Sequence, residues 1–444
     1  MRLTGTAPIL AQFRTEETMA NNSTRSASTK VIHAGFLLTD PDIQPKSEQS
    51  ILIEGEQIKA VSDGFVDPPP GGELIDLRNK FVLPGLIDCH VHLTAQLDRG
   101  SRLRTVEDSD PKAALNAAHN AAVTLSSGFT TVRDVGARNP DVIFALRAAI
   151  AERKVAGPRV LCVGAVLSPT GGHGQIYGFR NDVCACVQSR SGICDGVDEC
   201  RRAVRRQVSH GADAIKFVAT GGVLSNIRAG LDQQFTDDEI RSIIETAHRL
   251  GRRVAAHAHG AAGINAALEG GVDSIEHGSF LDARSLELFI AKGAFHVPTI
   301  IAGVTVLEMA QRNMAQGDGV LTPAQIEKAM IVGVKIKEAL ARSHKSGVTI
   351  AFGTDMGVGP HGQNAREFRY MVEAGMRSSE AIKTATVNAA KLLDLSDDVG
   401  TIASGKSADV IAVDSSPLDD VSVLERVAFV MARGDIYREC TSRR

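Results

Sequence analysis

The stretch Val82-Leu-Pro-Gly-Leu-Ile-Asp-Cys-His-Val-His92 decides how the rest of the chain is read. It is apolar almost throughout and then ends in two histidines one residue apart. A short apolar run of this kind fits a strand covered on both faces, and runs of the same style recur downstream. They are Thr130–Val135, Arg159–Val166, Ala214–Ala219, Val254–His259, Ser274–His277, Phe295–Ile300 and Thr349–Asp355. Stretches with apolar 3–4 spacing separate most of them, as at Asp198–His210, Thr236–Gly251, Thr322–Ser346 and Ser378–Leu395. Eight strands alternating with helices over about 270 residues predict a (β/α)8 TIM barrel, within the α/β class. The alternative is a doubly wound open sheet. It would have to accommodate eight strands and the lack of a G-x-G-x-x-G after the first of them.

Outward from this middle region the pattern changes. Between Lys30 and Phe81 short alternating runs appear, Val31-Ile-His-Ala-Gly-Phe-Leu-Leu and Gln49-Ser-Ile-Leu-Ile-Glu-Gly-Glu-Gln-Ile, punctuated by Pro68-Pro-Pro-Gly-Gly. The same style returns in Ala408-Asp-Val-Ile-Ala-Val and Val427-Ala-Phe-Val-Met-Ala-Arg-Gly-Asp-Ile. These runs predict a small β-sandwich domain built from both chain ends. The expected organisation is a disordered leader at 1–28, the N-terminal half of the sandwich at 29–81, the barrel at 82–399 and the C-terminal half of the sandwich at 400–440. Met19 lies within the leader as a second possible start.

Composition narrows the function classes. The 444 residues are 43% hydrophobic and 23% charged, with a net charge of −3, so nothing electrostatic points to nucleic acid or an anionic membrane as partner. No apolar run reaches the roughly 20 residues needed to span a bilayer, and Ala7-Pro-Ile-Leu-Ala-Gln-Phe is short for a signal core. The seven cysteines are odd in number, and two lie in apolar runs, which argues against a disulfide framework. Four of them crowd between Cys184 and Cys200, without the paired C-x2-C spacing of a zinc knuckle. That segment reads as a solvent loop with incidental thiols, and reduced thiols imply a cytoplasmic setting.

Chemistry is expected where barrel strands end. Those ends carry His90 and His92, Lys216, His257 and His259, Glu276 and His277, and Asp355. Taken alone, each is ordinary: 13 histidines in this length give about 0.4 H-x-H pairs by chance. A strand-end histidine is often only a hydrogen-bonded structural residue. Their joint occurrence is what points to a metal centre. Period-2 geometry puts His90 and His92 on one strand face, within reach of one ion. Lys216, inside Ala-Ile-Lys-Phe-Val, is a misfit unless it snorkels to the barrel mouth or loses its charge. A lysine buried beside cations loses its proton, and the neutral amine can take up CO2 to become a bridging carbamate.

The segments Pro84-Gly-Leu-Ile-Asp-Cys-His-Val-His92, Ile215-Lys216, His257-Ala-His259, Ile275-Glu-His277-Gly and Phe352-Gly-Thr-Asp355 together resemble the metal-dependent amidohydrolase superfamily, over about residues 30 to 440. The resemblance implies two divalent ions. His90 and His92 would bind the more buried one, His257 and His277 the second, with N6-carboxylated Lys216 as the bridge and Asp355 as a ligand that also moves protons. Zinc (Zn2+) suits such donors, with manganese and cobalt left open. Pro169-Thr-Gly-Gly-His173-Gly, Thr220-Gly-Gly-Val and His257-Ala-His259-Gly resemble the Xaa-Pro dipeptidase and carboxypeptidase-like branch, which includes ochratoxin-degrading amidohydrolases. That branch implies His173 and His259 near the scissile carbonyl or the substrate carboxylate. For His173 the plainer reading is a loop cap, and for His259 it is a residue that orients a ligand.

The expected reaction is hydrolysis of an amide next to a free carboxylate, in an N-acyl amino acid or dipeptide, with an ochratoxin-type amide among the possibilities. A homo-oligomer is expected from the relatives. A deaminase is disfavoured by Lys216 and by Glu276 directly preceding His277. A cyclic-amide hydrolase of the imidazolonepropionase kind is disfavoured by Lys216 and the His173 loop. A non-catalytic assembly barrel would have lost its ligands, and all six are present.

Overall fold

A computed structural model describes residues 29–176, 178–225, 230–317 and 319–439. The leader expected at 1–28 and Cys440 lie outside the described residues. Four strands open the chain: β1 (Thr29–Leu37), β2 (Lys46–Glu54), β3 (Gln57–Asp63) and β4 (Glu73–Pro84). The barrel region supplies ten more. They are β5 (Leu86–Val91), β6 (Phe129–Asp134), β7 (Arg159–Cys162), β8 (Leu167–Ser168), β9 (Gly192–Ile193), β10 (Ala214–Val218), β11 (Arg253–Ala258), β12 (Ser274–His277), β13 (Phe295–Val297) and β14 (Thr349–Ile350). The chain closes with β15 (Val410–Val413), β16 (Phe429–Ala432) and β17 (Asp435–Arg438).

The two chain ends meet in one mixed sheet of order β17-β16-β15-β4-β1-β2-β3. The joint is antiparallel, with Ile411 opposite Leu83 and Ala412 opposite Val82. Ile32, Ile51, Ile53, Val410, Phe429 and Met431 form its core. The period-2 alternation read in the sequence is what brings these residues to one side.

The barrel-region strands pair in parallel, and β5 and β10 are buried along their whole length, as near-continuous apolar runs require. They form two arcs, β5-β6-β7 and β14-β13-β12-β11-β10-β8-β9. Among the described residues the ladder does not close. The strand expected at Arg159–Val166 stops at Cys162, because Gly164 turns at φ +76° and Ala165 N donates to Gln207 Oε1. The chain resumes pairing only at β8. At this seam Asp213 bonds to β7 instead, its N to Cys162 O at 2.8 Å and its Oδ2 accepting from Cys162 N at 2.9 Å. On the opposite side the arcs touch through Cys89 N to Phe352 O (2.9 Å) and Asp355 N to His90 O (2.7 Å).

Other boundaries also moved. Val82–Pro84 belongs to β4, so the first barrel strand starts only after Gly85. The helix expected over Ser378–Leu395 is interrupted by a π turn at Thr384–Asn388. The cysteine-rich segment is not a solvent loop. Asn181–Gln188 is helical, and Cys194 and Cys200 are buried with their sulfurs 3.6 Å apart. Thiols near an apolar helix face pack like small hydrophobes, which the spacing of cysteines alone does not reveal. Among the described residues no helix is long and apolar enough to cross a membrane.

Candidate active site

His90 and His92 project from the end of β5, and each ring is oriented through Nδ1. His90 donates from Nδ1 to Glu276 Oε2 at 2.7 Å, and His92 donates from Nδ1 to the Gly136 carbonyl at 2.8 Å. Both Nε2 atoms therefore carry lone pairs when the rings are neutral. They face the same oxygen, Asp355 Oδ1, at 3.5 Å and 3.3 Å. Three converging lone-pair donors repel one another unless a cation lies among them. Without a metal a proton supplies it: burial pulls the His92 pKa down, but the Asp355 carboxylate outweighs it and raises it. Burial likewise pushes Asp355 up, yet His90 and His92 hold it well below the usual carboxylate range.

Asp88 fixes this corner from behind. It accepts from His90 N (3.0 Å), Thr354 N (3.2 Å), Thr354 Oγ1 (2.6 Å) and Asn364 Nδ2 (2.8 Å), tying β5 to the turn that presents Asp355. Burial raises its pKa to about 6, with those hydrogen bonds opposing.

His277 ends β12, its Nδ1 paired with Thr299 Oγ1 at 2.7 Å. His277, Thr299 and Asp355 have φ of +72°, +52° and +58°. Left-handed backbone at three non-glycine residues at or after strand ends costs energy, and such strain clusters at functional sites. His257 lies near the end of β11 and His259 directly follows it; their rings lie 4.7 Å and 4.9 Å from that of His277. One ligand atom from each of His257, His259 and His277 falls within 4.8 Å of the others, and the same holds for His90, His277 and Asp355. Burial, reinforced by the neighbouring imidazoles, holds His257 and His277 well below the usual histidine value, so they present neutral nitrogen donors.

Lys216 is 3% exposed and makes no hydrogen bond or ion pair among the described residues. Burial pulls its pKa down to about 8, with Glu276 and Asp355 opposing and Arg133 assisting. A buried amine without a partner, facing imidazoles and a carboxylate, suits conversion to an anionic ligand. The donor set as a whole suits divalent cations of the zinc type.

His173 arrives from the loop after β8. Its ring lies over His257, centroids 4.5 Å apart, and its backbone N donates to Gln234 Oε1 at 2.8 Å. Its Nδ1 is buried without a partner among the described residues. Burial, with the charge of Lys328 next, lowers its pKa to about 4. Gly222 packs so tightly beneath this ring that a methyl group there would sit 2.5 Å from Nε2 and 2.7 Å from Nδ1.

All eight residues expected from the sequence lie together at these strand ends and the loops that follow them, His259 among them. Its Nδ1 pairs with Ser279 Oγ at 2.8 Å, and its ring falls within the cluster of possible ligands. Sequence reasoning missed Arg133, whose Nη2 donates to Glu276 Oε1 at 2.9 Å inside the barrel, although a charge in Phe129-Thr-Thr-Val-Arg-Asp134 is as much a misfit as Lys216. It also gave no role to Glu276, Asp88 or Lys328.

Comparison with known proteins gives consistent results. The description "Amidohydrolase family" matches residues 81–437. The ochratoxinase of Aspergillus niger is 32% identical, the alignment covering 94% of this chain and 88% of that protein. A solved Xaa-Pro dipeptidase with bound methionine in its active site superposes with a TM-score of 0.85 at 40% identity, covering 93% of this chain and all (100%) of that one. The crystal structure of A. niger ochratoxinase superposes with a TM-score of 0.80 at 31% identity, covering 93% and 96%.

Proposed function

The chain belongs to the amidohydrolase family, and on that premise we propose that it is a binuclear metal-dependent enzyme cleaving the amide bond of N-acyl amino acids or dipeptides with a free C-terminal carboxylate. That it is a hydrolytic enzyme acting on amide bonds follows from the family and its relatives. The observation that carries the finer reading is Lys216, buried and unpaired among neutral imidazoles. His90, His92 and Asp355 would hold one ion and His257 and His277 the other, with Lys216 as N6-carboxylate between them. The lysine reaches that state when its neutral Nζ attacks CO2 and releases one proton to solvent. Zinc fits the donors.

Two bound ions would polarise the amide carbonyl and acidify a water for attack. The chain's own residues do the rest. Asp355, held ionised, accepts the proton of the attacking water and delivers it to the departing amine nitrogen. His173 places a ring N–H against the carbonyl oxygen as charge develops there. His259 admits a second reading: its position in the ligand cluster favours a metal contact over a substrate contact. Metal content of His259→Ala separates the two, since only a ligand loses stoichiometry.

The same reading takes the two arcs as one (β/α)8 barrel over 82–399, and the mixed sheet as a sandwich built from 29–81 and 400–440. A cytoplasmic setting and a homo-oligomer belong to it, the former supported by six free thiols. An ochratoxin-type amide is a candidate substrate, because a relative bears the name ochratoxinase. The test is a screen of N-acyl amino acids, dipeptides and ochratoxin A with metal-loaded protein. Turnover lost on chelation and restored by zinc is expected; unchanged turnover in Lys216→Ala would sink the metal assignment.

A further inference from the structure

Between β13 and β14 the chain crosses over by two helices, Ile300–Gln316 and Pro323–Lys345, packed together as a hairpin. The inner face of the hairpin, with Ala302, Val306, Ala310, Ala329 and Val332, packs on Val223 in the segment after β10. That segment, Gly221–Ser225, has no strand partner for several of its carbonyls, and buried carbonyls need donors. Thr220 Oγ1 donates to Gly221 O and Ser225 Oγ to Gly222 O, at 2.8 Å and 2.7 Å, and the second helix supplies the further donors. Gln325 Nε2 donates to Leu224 O at 2.5 Å. Lys328, three residues on, donates from Nζ to Gly222 O at 2.8 Å, to Ser225 O at 2.5 Å and to Ser225 Oγ at 3.3 Å. Lys328 is only 8% exposed, and its hydrogen-bond partners among the described residues are all neutral oxygens. An ammonium buried with neutral acceptors alone is costly, so a stabilising salt link does not account for it.

What the clasp holds is the floor of the candidate active site. Gly222 backs the His173 ring with no room for a methyl group, and the adjoining Gly221 carbonyl lies 3.4 Å from His257 Nε2. A shift of Gly222 therefore lets the His173 ring tilt away from His257. We propose that Lys328 is a positioning residue for His173: by fixing the Gly222 carbonyl from the hairpin, it holds the imidazole where the substrate carbonyl is met. This rests on the amide-hydrolysis reading above.

The experiment is a double-mutant cycle in the full-length, zinc-reconstituted protein with one N-acyl amino acid substrate. Lys328→Met keeps the length and removes the donors. Its kcat is expected to fall about tenfold or more, with KM changed less than about threefold and metal content intact. Lys328→Arg, which retains donors, should recover most of the rate. In a His173→Ala background, Lys328→Met should cost almost nothing further, because the group it positions is gone. A wild-type kcat in Lys328→Met, or an equal fold loss in both backgrounds, overturns the proposal. Should Lys328→Met fail to fold, Gln325→Ala poses the same question through the Leu224 carbonyl, with a smaller loss that again vanishes without His173. An unimpaired His173→Ala enzyme overturns both this proposal and the role given to His173 above, whereas an impaired one with additive losses overturns only the proposal. No turnover by the wild type on any free-carboxylate amide strikes the functional reading itself.

Discussion

Glu276 Oε2 lies 2.7 Å from His90 Nδ1, and the other oxygen of the same carboxylate receives Arg133 Nη2 at 2.9 Å and Ser274 Oγ at 2.5 Å. Burial pushes this carboxyl up, but Arg133 and Lys216 outweigh it and hold it far below the usual range. It is therefore an ionised group that fixes the tautomer of His90 and makes Nε2 a better donor. Removing its charge in Glu276→Gln should weaken metal retention about 10- to 100-fold. Dialysis against graded chelator followed by metal analysis measures this. Leaving Arg133 buried without its partner should also cost about 3–5 kcal/mol of stability, read from a denaturant titration.

Carboxylation of Lys216 needs the neutral amine. With its pKa near 8, roughly a tenth is neutral at pH 7 and half at pH 8. Metal-free protein reconstituted with zinc at fixed dissolved CO2 should regain activity about fivefold faster at pH 8 than at pH 7. Reconstitution in CO2-depleted buffer should stall, and 13C-labelled bicarbonate should give a carbamate resonance that is absent in Lys216→Ala. Equal recovery with and without CO2 would remove the carbamate from the account.

Asp355→Asn keeps the shape of the side chain but neither binds a proton nor carries charge. The expected loss in kcat is about 10²–10⁴-fold, the range for general acid–base groups. Wild-type turnover by this variant would refute the proton-transfer role.

Far from the site, His248 Nε2 meets Asp273 Oδ2 at 2.8 Å, and this bond raises the histidine pKa above its ordinary 6.5. A raised histidine pKa stabilises the fold below the unfolded value, and that contribution is lost as pH rises through the folded one. Stability of the wild type should thus decline from about pH 6.5 upward relative to His248→Gln. Midpoints of urea unfolding for the two proteins across pH 5.5 to about 9 test the slope; parallel curves would contradict it.

What could be read from the sequence was what burial writes into it. Val82–His92, Ala214–Ala219 and Val254–His259 are apolar because both faces are covered, so their strands and the polar residues at their ends were legible. Whether one ladder continues into the next is not written that way. The break after Cys162 depends on a turn at Gly164 and a bond from Gln207, some forty residues later in the chain. The left-handed backbone at His277, Thr299 and Asp355 leaves no trace in residue type, since none is glycine. Lys328 reads as one more surface lysine on an amphipathic helix, and only the fold brings it to Gly222, 106 residues earlier. Arg133 was legible by the same physics as Lys216, since a charge inside an apolar strand needs a buried partner wherever it occurs.

The unzipped seam bears on mechanics as well as topology. His90 and His92 belong to the three-stranded arc, and Lys216, His257 and His277 to the seven-stranded one. Ions held by residues of both arcs would act as a rivet through two plates that the described backbone ladder leaves unclosed. Loading the metal should then slow amide exchange along Cys162–Ser168, a stretch that supplies none of the proposed ligands, and stripping it should let the two plates part there first.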